Sequence, residues 1–405
     1  MEAIEDVVII GAGIAGLATA LGLHRKGVRS LVLESSETLR AAGFGLSIWT
    51  NAWRALDALG VGDSLRQSHV RLRGVTAISA TSGARASNSA FMAQGKSGEH
   101  EVRCLRRNML LETLEKELPR GTVRFSSKVV AIEEDGYFKL LHLADGSTVK
   151  TKVLIGCDGV NSVVAKWLGL NKPIFTGRSA SRGFAEFPNG HGFKPEAMQC
   201  FGEGFRTGVL PCNERIVYWF FTWTPSEKEK EVEESPTKMK QYMLSKLKHS
   251  KVPEELIHGI EISELSDPVS APLRYRWPFS LLWGDISKGN VCVAGDAFHP
   301  MTPDLGQGGC SALEDSIVLA RCLGEALLGE HDGGAKGEYD KIKEGLEKYA
   351  KERRWRSFQL ITIAYVLGRI QQSESTIVGY LRDKWLSGTM SRLLLERADF
   401  DCGML

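Results

Sequence analysis

Val7-Val-Ile-Ile10 followed by Gly11-Ala-Gly13-Ile14-Ala15-Gly16 is the stretch that decides the fold. The apolar run suits a short strand buried in a parallel sheet. Gly11 permits the tight turn out of it, Gly13 leaves room for a pyrophosphate, and Gly16 lets the next helix pack on the strand. Ile14 to Lys26 carries helical spacing, with Gly27 where a C-terminal cap belongs. Val28 to Leu33 reads as the second strand, ending in Glu34 and Ser35. A phosphate then lies on the helix N-terminus, where free N–H groups and the dipole favour anions. The Glu34 carboxylate stands where it can accept from ribose hydroxyls. An acid there repels a 2′-phosphate, so the turn takes NAD or the adenosine half of FAD.

A second glycine cluster separates these two. Val291 to Ala294 reads as a strand leading to Gly295-Asp296, then His299-Pro300 and the loop Pro303, Leu305-Gly306-Gln307-Gly308-Gly309. A helix is expected from Cys310 to Leu323. Strand, acid, glycine loop and helix suit a second contact with one long dinucleotide. Asp296 is placed to accept from ribityl hydroxyls. Backbone N–H groups at Gly309 and Cys310 would meet the pyrimidine edge of a flavin and favour negative charge on its reduced form. The expected cofactor is therefore FAD.

Between the clusters the texture changes. Arg106 to Leu118 reads as a helix stopped by Pro119, and Asp145-Gly146 joins two strands as a hairpin. Leu72–Ala80 reads as a strand, followed by a polar stretch at 81–89. From about Phe175 to Pro278 the strands become aromatic, as in Ile216-Val-Tyr-Trp-Phe-Phe-Thr-Trp223. The charged segment 227–251 reads as a solvated helix face. From Glu338 the chain is mostly helical. These textures predict an α/β fold: a Rossmann-like FAD-binding domain (1–70, 100–175 and 279–340), an inserted mixed β-sheet substrate domain (71–99 and 176–278), and C-terminal helices (341–405).

Lys+Arg 51 against Asp+Glu 49 leaves a net charge of +2, which gives no reason to expect nucleic acid or an anionic membrane as a partner. The eight cysteines are scattered without a CxxC pair, so no metal site is expected, and buried thiols in a reducing compartment fit them. The first strand starts so near Met1 that no targeting peptide is expected, and no apolar run is long enough to span a membrane. A cytoplasmic location and a monomer or homodimer are expected.

The chain resembles the group A flavoprotein monooxygenases of the p-hydroxybenzoate hydroxylase fold. The resemblance rests on the Gly11–Gly16 turn, on Asp158-Gly159 within Ile155-Gly-Cys-Asp-Gly-Val-Asn-Ser162, and on Gly295-Asp296 with its glycine loop. Arg107 of Arg107-Asn-Met-Leu110 matches the arginine that the family places on the FAD pyrophosphate; the fork of a guanidinium suits that task. The stretch 306–315 is most similar to plant members related to zeaxanthin epoxidase and to salicylate hydroxylase-like enzymes. Ala165 and Lys166 stand where the family usually ends its Asp-Gly motif with an arginine.

The resemblance implies reduction of FAD by NADPH or NADH, then transfer of one oxygen atom from dioxygen, through a flavin hydroperoxide, to an aromatic or alkene-bearing small metabolite. Hydroxylation is the leading expectation. Epoxidation of a terpenoid or prenylated compound, an isoprenoid reductase, and a non-catalytic flavoprotein are the alternatives. Trp49, Phe201, Phe205, Tyr218, Trp219 and Phe221 are candidate walls of the substrate cavity, although alternation puts Tyr218 on the opposite strand face from Trp219 and Phe221. Arg182 and His299 are the polar candidates for catalysis. His299 would orient the ring or relay a proton, or else hold the loop by a structural hydrogen bond.

Overall fold

The computed structural model describes residues 4–39, 44–96, 98–226, 235–265, 270–329, 334–373, 375, 378–379 and 387–405. Two large sheets dominate. In the first, Ile4–Ile10 pairs in parallel with Leu31–Leu33 on one side and with Thr148–Gly156 on the other. Thr148–Gly156 is the splice of this sheet. Its first half pairs antiparallel with Phe138–Leu143, and its last residues pair in parallel with Val291–Val293. The parallel strands are short and apolar because helices cover the sheet: Ile14–Arg25 packs against the helix Gly308–Leu328, which in turn packs on the long helix Gly334–Gln371. Both of these last two helices begin earlier than their apolar spacing suggests, since their first turns are glycine-rich and carry no periodic signal.

The second sheet has seven strands, in the order Ala271–Tyr275, Ile174–Glu186, Ile216–Trp223, Phe205–Pro211, Glu196–Phe201, Gly74–Ser79 and Arg85–Ala90. The last of these corrects the reading of 81–89 as a merely polar stretch: an edge strand needs only its inner row of backbone bonds, not an apolar face. On the outer face, Val217, Trp219, Phe221, Trp223 and Phe205 form a separate core with Met239, Met243, Leu247, Leu256 and Ile260. These come from helices Pro236–Lys248 and Glu254–Ile262. The charged segment is thus solvated on one side only: Met239, Met243 and Leu247 recur every fourth residue on a fully buried stripe. The part of that segment at 227–234 lies outside the described residues. The inner face of the sheet looks toward the glycine loops of the first.

All eight cysteines are buried free thiols. Among the described residues no helix is long and apolar enough to cross a membrane, and no cluster of side chains suits a metal ion.

Candidate functional site

The glycine turn is as tight as its sequence demands. Gly11 has φ +100°, and a Cβ on it would stand 2.6 Å from the carbonyl oxygen of Cys157. A Cβ on Gly16 would fall 1.9 Å from the carbonyl oxygen of Gly11, whereas one on Gly13 would meet no protein atom within 4 Å. Gly13 caps the helix without a side-chain partner, so the N-terminal N–H groups face open space. Glu34 braces the turn. Its carboxylate accepts from the Ala12 N–H at 2.8 Å and from the Ser36 N–H at 2.9 Å, and Ser35 Oγ donates to it at 3.2 Å.

The second glycine cluster docks on the first. Gly295, at φ +60°, lies so close to the glycine-turn helix that a Cβ would be 2.8 Å from the Ala15 Cβ. Gly306 takes φ +64° beside Trp49, and the next helix opens with Gly308 and Gly309. Together the clusters enclose one cavity of about 680 Å³, lined by Gly13, Ile14, Ala15, Gly159, Gly295, Asp296, Pro303, Gly306, Gly308 and Gly309. This volume is in the range of roughly 300–1,000 Å³ usual for ligand sites. The Asp296 carboxylate opens into it. Burial in the surrounding protein pushes this carboxyl up, while His299, Arg107 and Arg182 pull it back. Arg107 and Arg182 stack on Phe44, at 5.4 and 5.2 Å from the ring centre, and both line the cavity.

The opposite wall is the inner face of the second sheet. Of the aromatic candidates, Tyr218 and Trp49 line the cavity; Phe201, Phe205, Trp219 and Phe221 do not. Phe205, Trp219 and Phe221 turn to the outer core because their strands alternate, and Phe201 is buried at the end of its strand. Alternation from Tyr218 adds Phe220 and Thr222, and Gln199 and Arg206 also line this wall. These four were missed because a strand's faces are known from sequence but not which face meets a ligand. Burial pushes the Tyr218 phenol up to about 12. Arg206 is paired with Asp304 at 3.0 Å, and Arg178 grips the same carboxylate through both oxygens, at 3.1 and 2.8 Å. Two buried guanidinium groups therefore share one carboxylate at the wall.

Several sequence candidates sit behind the cavity instead. The Asp158 carboxylate accepts from Ser162 Oγ at 2.5 Å and from the Val163 N–H at 2.7 Å, and so shapes its own turn. The Cys310 thiol approaches the Ser47 carbonyl at 3.4 Å, and burial pushes it up to about 12. His299 is fully buried, off the cavity, with Nε2 2.5 Å from Asp315 Oδ2. Through Asp315 it ties the loop to the helix behind.

That tie belongs to a buried ionic lattice. Asp315 also accepts from the Gly295 N–H at 2.8 Å and from Arg353 Nε at 2.7 Å. Glu314 holds Arg353 at 2.6 Å and Arg356 at 2.8 Å, and accepts from Asn51 Nδ2 at 2.5 Å. Burial alone would raise the Glu314 carboxyl, but Arg356 and Arg353 outweigh it and hold it at about 2, below its ordinary 4.5. The folded value is depressed, so this stabilisation is complete above the ordinary value and is lost as pH falls toward the folded one. The urea midpoint of the wild type should therefore fall between pH 4.5 and about 2 more than that of Glu314→Gln. Equal acid sensitivity of the two would show that Glu314 does not carry this loss.

Residues 5–362 match the FAD binding domain family. The chain is 50% identical to Monooxygenase 2 of Arabidopsis thaliana, over 100% of this chain and 99% of that one. It is 38% identical to Monooxygenase 1 of the same plant, over 98% and 99%. The solved structure of Klebsiella pneumoniae HpxO complexed with FAD and uric acid superposes with a TM-score of 0.81 at 22% identity, covering 98% of this chain and 96% of that one.

Proposed function

This chain belongs to the FAD binding domain family and is an FAD-dependent monooxygenase, and from that premise we propose that its substrate is an aromatic small molecule carrying an acidic group. The observation that supports this reading is the cavity itself. One wall is the FAD cradle; the other offers Tyr218 and Phe220 beside Arg182 and Arg206. Aromatic faces take a planar ring, and a guanidinium takes a carboxylate or phenolate with charge-assisted bonds. Burial lowers the Arg206 guanidinium's proton affinity, and Asp304, which Arg206 shares with Arg178, offsets this only in part. A substrate anion would supply the missing negative charge.

In this reading Glu34 meets the adenosine ribose, and the first turn of the helix at Gly13 and Arg107 meet the pyrophosphate. Asp296 meets the ribityl chain, and the N–H groups at Gly308 and Gly309 meet the pyrimidine edge. The cradle fits such a group: the space beside Gly13 is open, and both helix N-termini on the cavity lack side-chain caps. Bound FAD would supply the redox chemistry, taking reducing equivalents from NADPH or NADH and activating dioxygen. The protein holds the ring against it and keeps bulk water out. His299 is a positioning residue here, and Arg182 a substrate-binding one. The proposed domain boundaries rest on which strands share a sheet: those within 71–99 and 176–278 build the substrate wall.

The test is NADPH consumption by FAD-loaded protein with a panel of aromatic acids, neutral phenols and prenylated alkenes, with transfer of labelled oxygen scored in the product. Aromatic acids should stimulate turnover most. Arg182→Gln should raise their KM by about tenfold, with flavin content unchanged. Stimulation by neutral alkenes alone, with an epoxide as product, would replace this reading.

A further inference from the structure

The outer surface beyond the cavity carries an aromatic ridge that the reaction does not use. Trp277, Phe279 and Trp283 are 45%, 45% and 79% exposed, and Trp355 on the long helix is 57% exposed. Three of these rings join through Phe358 into one array, and Trp283 stands one helical turn after Phe279 on the helix Ser280–Trp283. Trp355 stacks on Phe358 at 4.9 Å, Phe358 meets Phe279 edge-on at 5.3 Å, and Phe279 lies 5.6 Å from Trp277. The stacked pair Tyr275 and Tyr365, 4.5 Å apart, joins the same two segments at the sheet edge. There Ile174 and Phe175 are also about half exposed, paired with Tyr275 and Arg274. The four exposed rings alone present on the order of 500 Å², at the upper end of what a soluble monomer shows as one patch.

Within the ridge's own two segments the charge has one sign, with Glu352 and Asp285 standing just outside them. These segments, 271–284 and 353–373, contain no Asp or Glu. Lys351 and Arg369 lie at either end of the exposed helix stripe, and Arg274 flanks the sheet edge. Among the described residues Arg274, Lys351 and Arg369 have no ion-pair partner. The acids next to these segments in sequence face other cations: Glu352 pairs with Arg321 at 2.8 Å, and Asp285 acts on Arg354 through its charge. A second copy of the chain seated on this face would bring these cations toward one another without a compensating acid. A layer of anionic headgroups supplies that charge, and indole and phenyl rings with a basic rim are what the boundary between headgroups and acyl chains accepts.

We propose that this ridge docks the protein peripherally on an anionic lipid surface. Arg274 both flanks the ridge and lines the cavity, so docking would set the cavity mouth beside the lipid. The docking does not depend on which substrate is bound.

FAD-loaded protein should sediment with vesicles of phosphatidylcholine containing about 30% phosphatidylserine, less with phosphatidylcholine alone, and be released by about 0.5 M salt. The pair Trp283→Ser, Trp355→Ser, and separately Lys351→Glu with Arg369→Glu, should each weaken vesicle binding by about tenfold. Flavin content and far-ultraviolet dichroism should stay at wild-type values. Wild-type protein that ignores anionic vesicles, or variants that bind as well as wild type, would overturn the proposal. So would a concentration-dependent dimer that the tryptophan pair abolishes, since the ridge would then join two copies.

Discussion

Arg353→Leu should lower the stability of the protein by about 3–5 kcal/mol, the largest loss expected from any single surface-remote change. The Arg353 guanidinium has no solvent exposure and holds Glu314 at 2.6 Å and Asp315 at 2.7 Å. Taking it away leaves two carboxylates in the interior with reduced compensation: Glu314 keeps Arg356, but Asp315 keeps only His299 and the Gly295 N–H. A buried charge without a partner costs more than the pair ever contributed, which is why the deletion is so unfavourable. The effect should reach the cavity, because Asp315 is what anchors Gly295 beneath the second glycine loop. Urea unfolding of the apoprotein measures the first consequence, and FAD affinity measures the second. Adding Asp315→Asn to Arg353→Leu should cost less than the sum of the two single changes. Strict additivity, or a single-variant loss near 1 kcal/mol, would show that the lattice is not coupled as its geometry implies.

The second large effect separates two glycines of one motif. Gly13→Val should weaken FAD binding by about 3 kcal/mol, roughly 100-fold, with apoprotein stability almost unchanged. A Cβ at that position meets no protein atom within 4 Å, so the only thing it obstructs is a ligand lying on the turn. Gly16→Ala should do the reverse. Its Cβ would stand 1.9 Å from the Gly11 carbonyl, so strand and helix must part, at a cost of about 3 kcal/mol or more to the apoprotein. Flavin fluorescence titration and apoprotein melting tell the two apart. If Gly13→Val takes up FAD as wild type does, the phosphate does not lie on this turn.

Local rules explain why much of this was legible. Gly11, Gly13 and Gly16 are fixed by steric needs within a few residues of one another, and the Asp145-Gly146 hairpin is likewise a local matter. Period-two alternation already divided Tyr218 from Trp219 and Phe221. What alternation lacks is the identity of what covers each face. Helices Pro236–Lys248 and Glu254–Ile262 claim one face of that strand, and the cavity takes the other. The face with the larger rings became core, so Trp219 and Phe221 were misplaced as wall. His299 shows the same limit at a single residue. Beside Asp296 in sequence it reads as a catalytic neighbour, yet the turn between them sends the ring to Asp315, 16 residues away on another element.

The sequence by itself determined the dinucleotide turn, the second glycine loop and the two-texture division of the chain, because each is written in neighbouring residues through backbone sterics and periodicity. Tertiary structure alone decided that Arg178 and Arg206 share Asp304, and that Arg353 braces the second glycine loop through Glu314 and Asp315. It also decided that Trp277, Phe279, Trp283 and Trp355 remain outside. These depend on which side chains, up to 126 residues apart for Arg178 and Asp304, are buried together. In a low-dielectric interior a charge must find its counter-charge wherever the fold supplies it, and sequence spacing does not encode that distance.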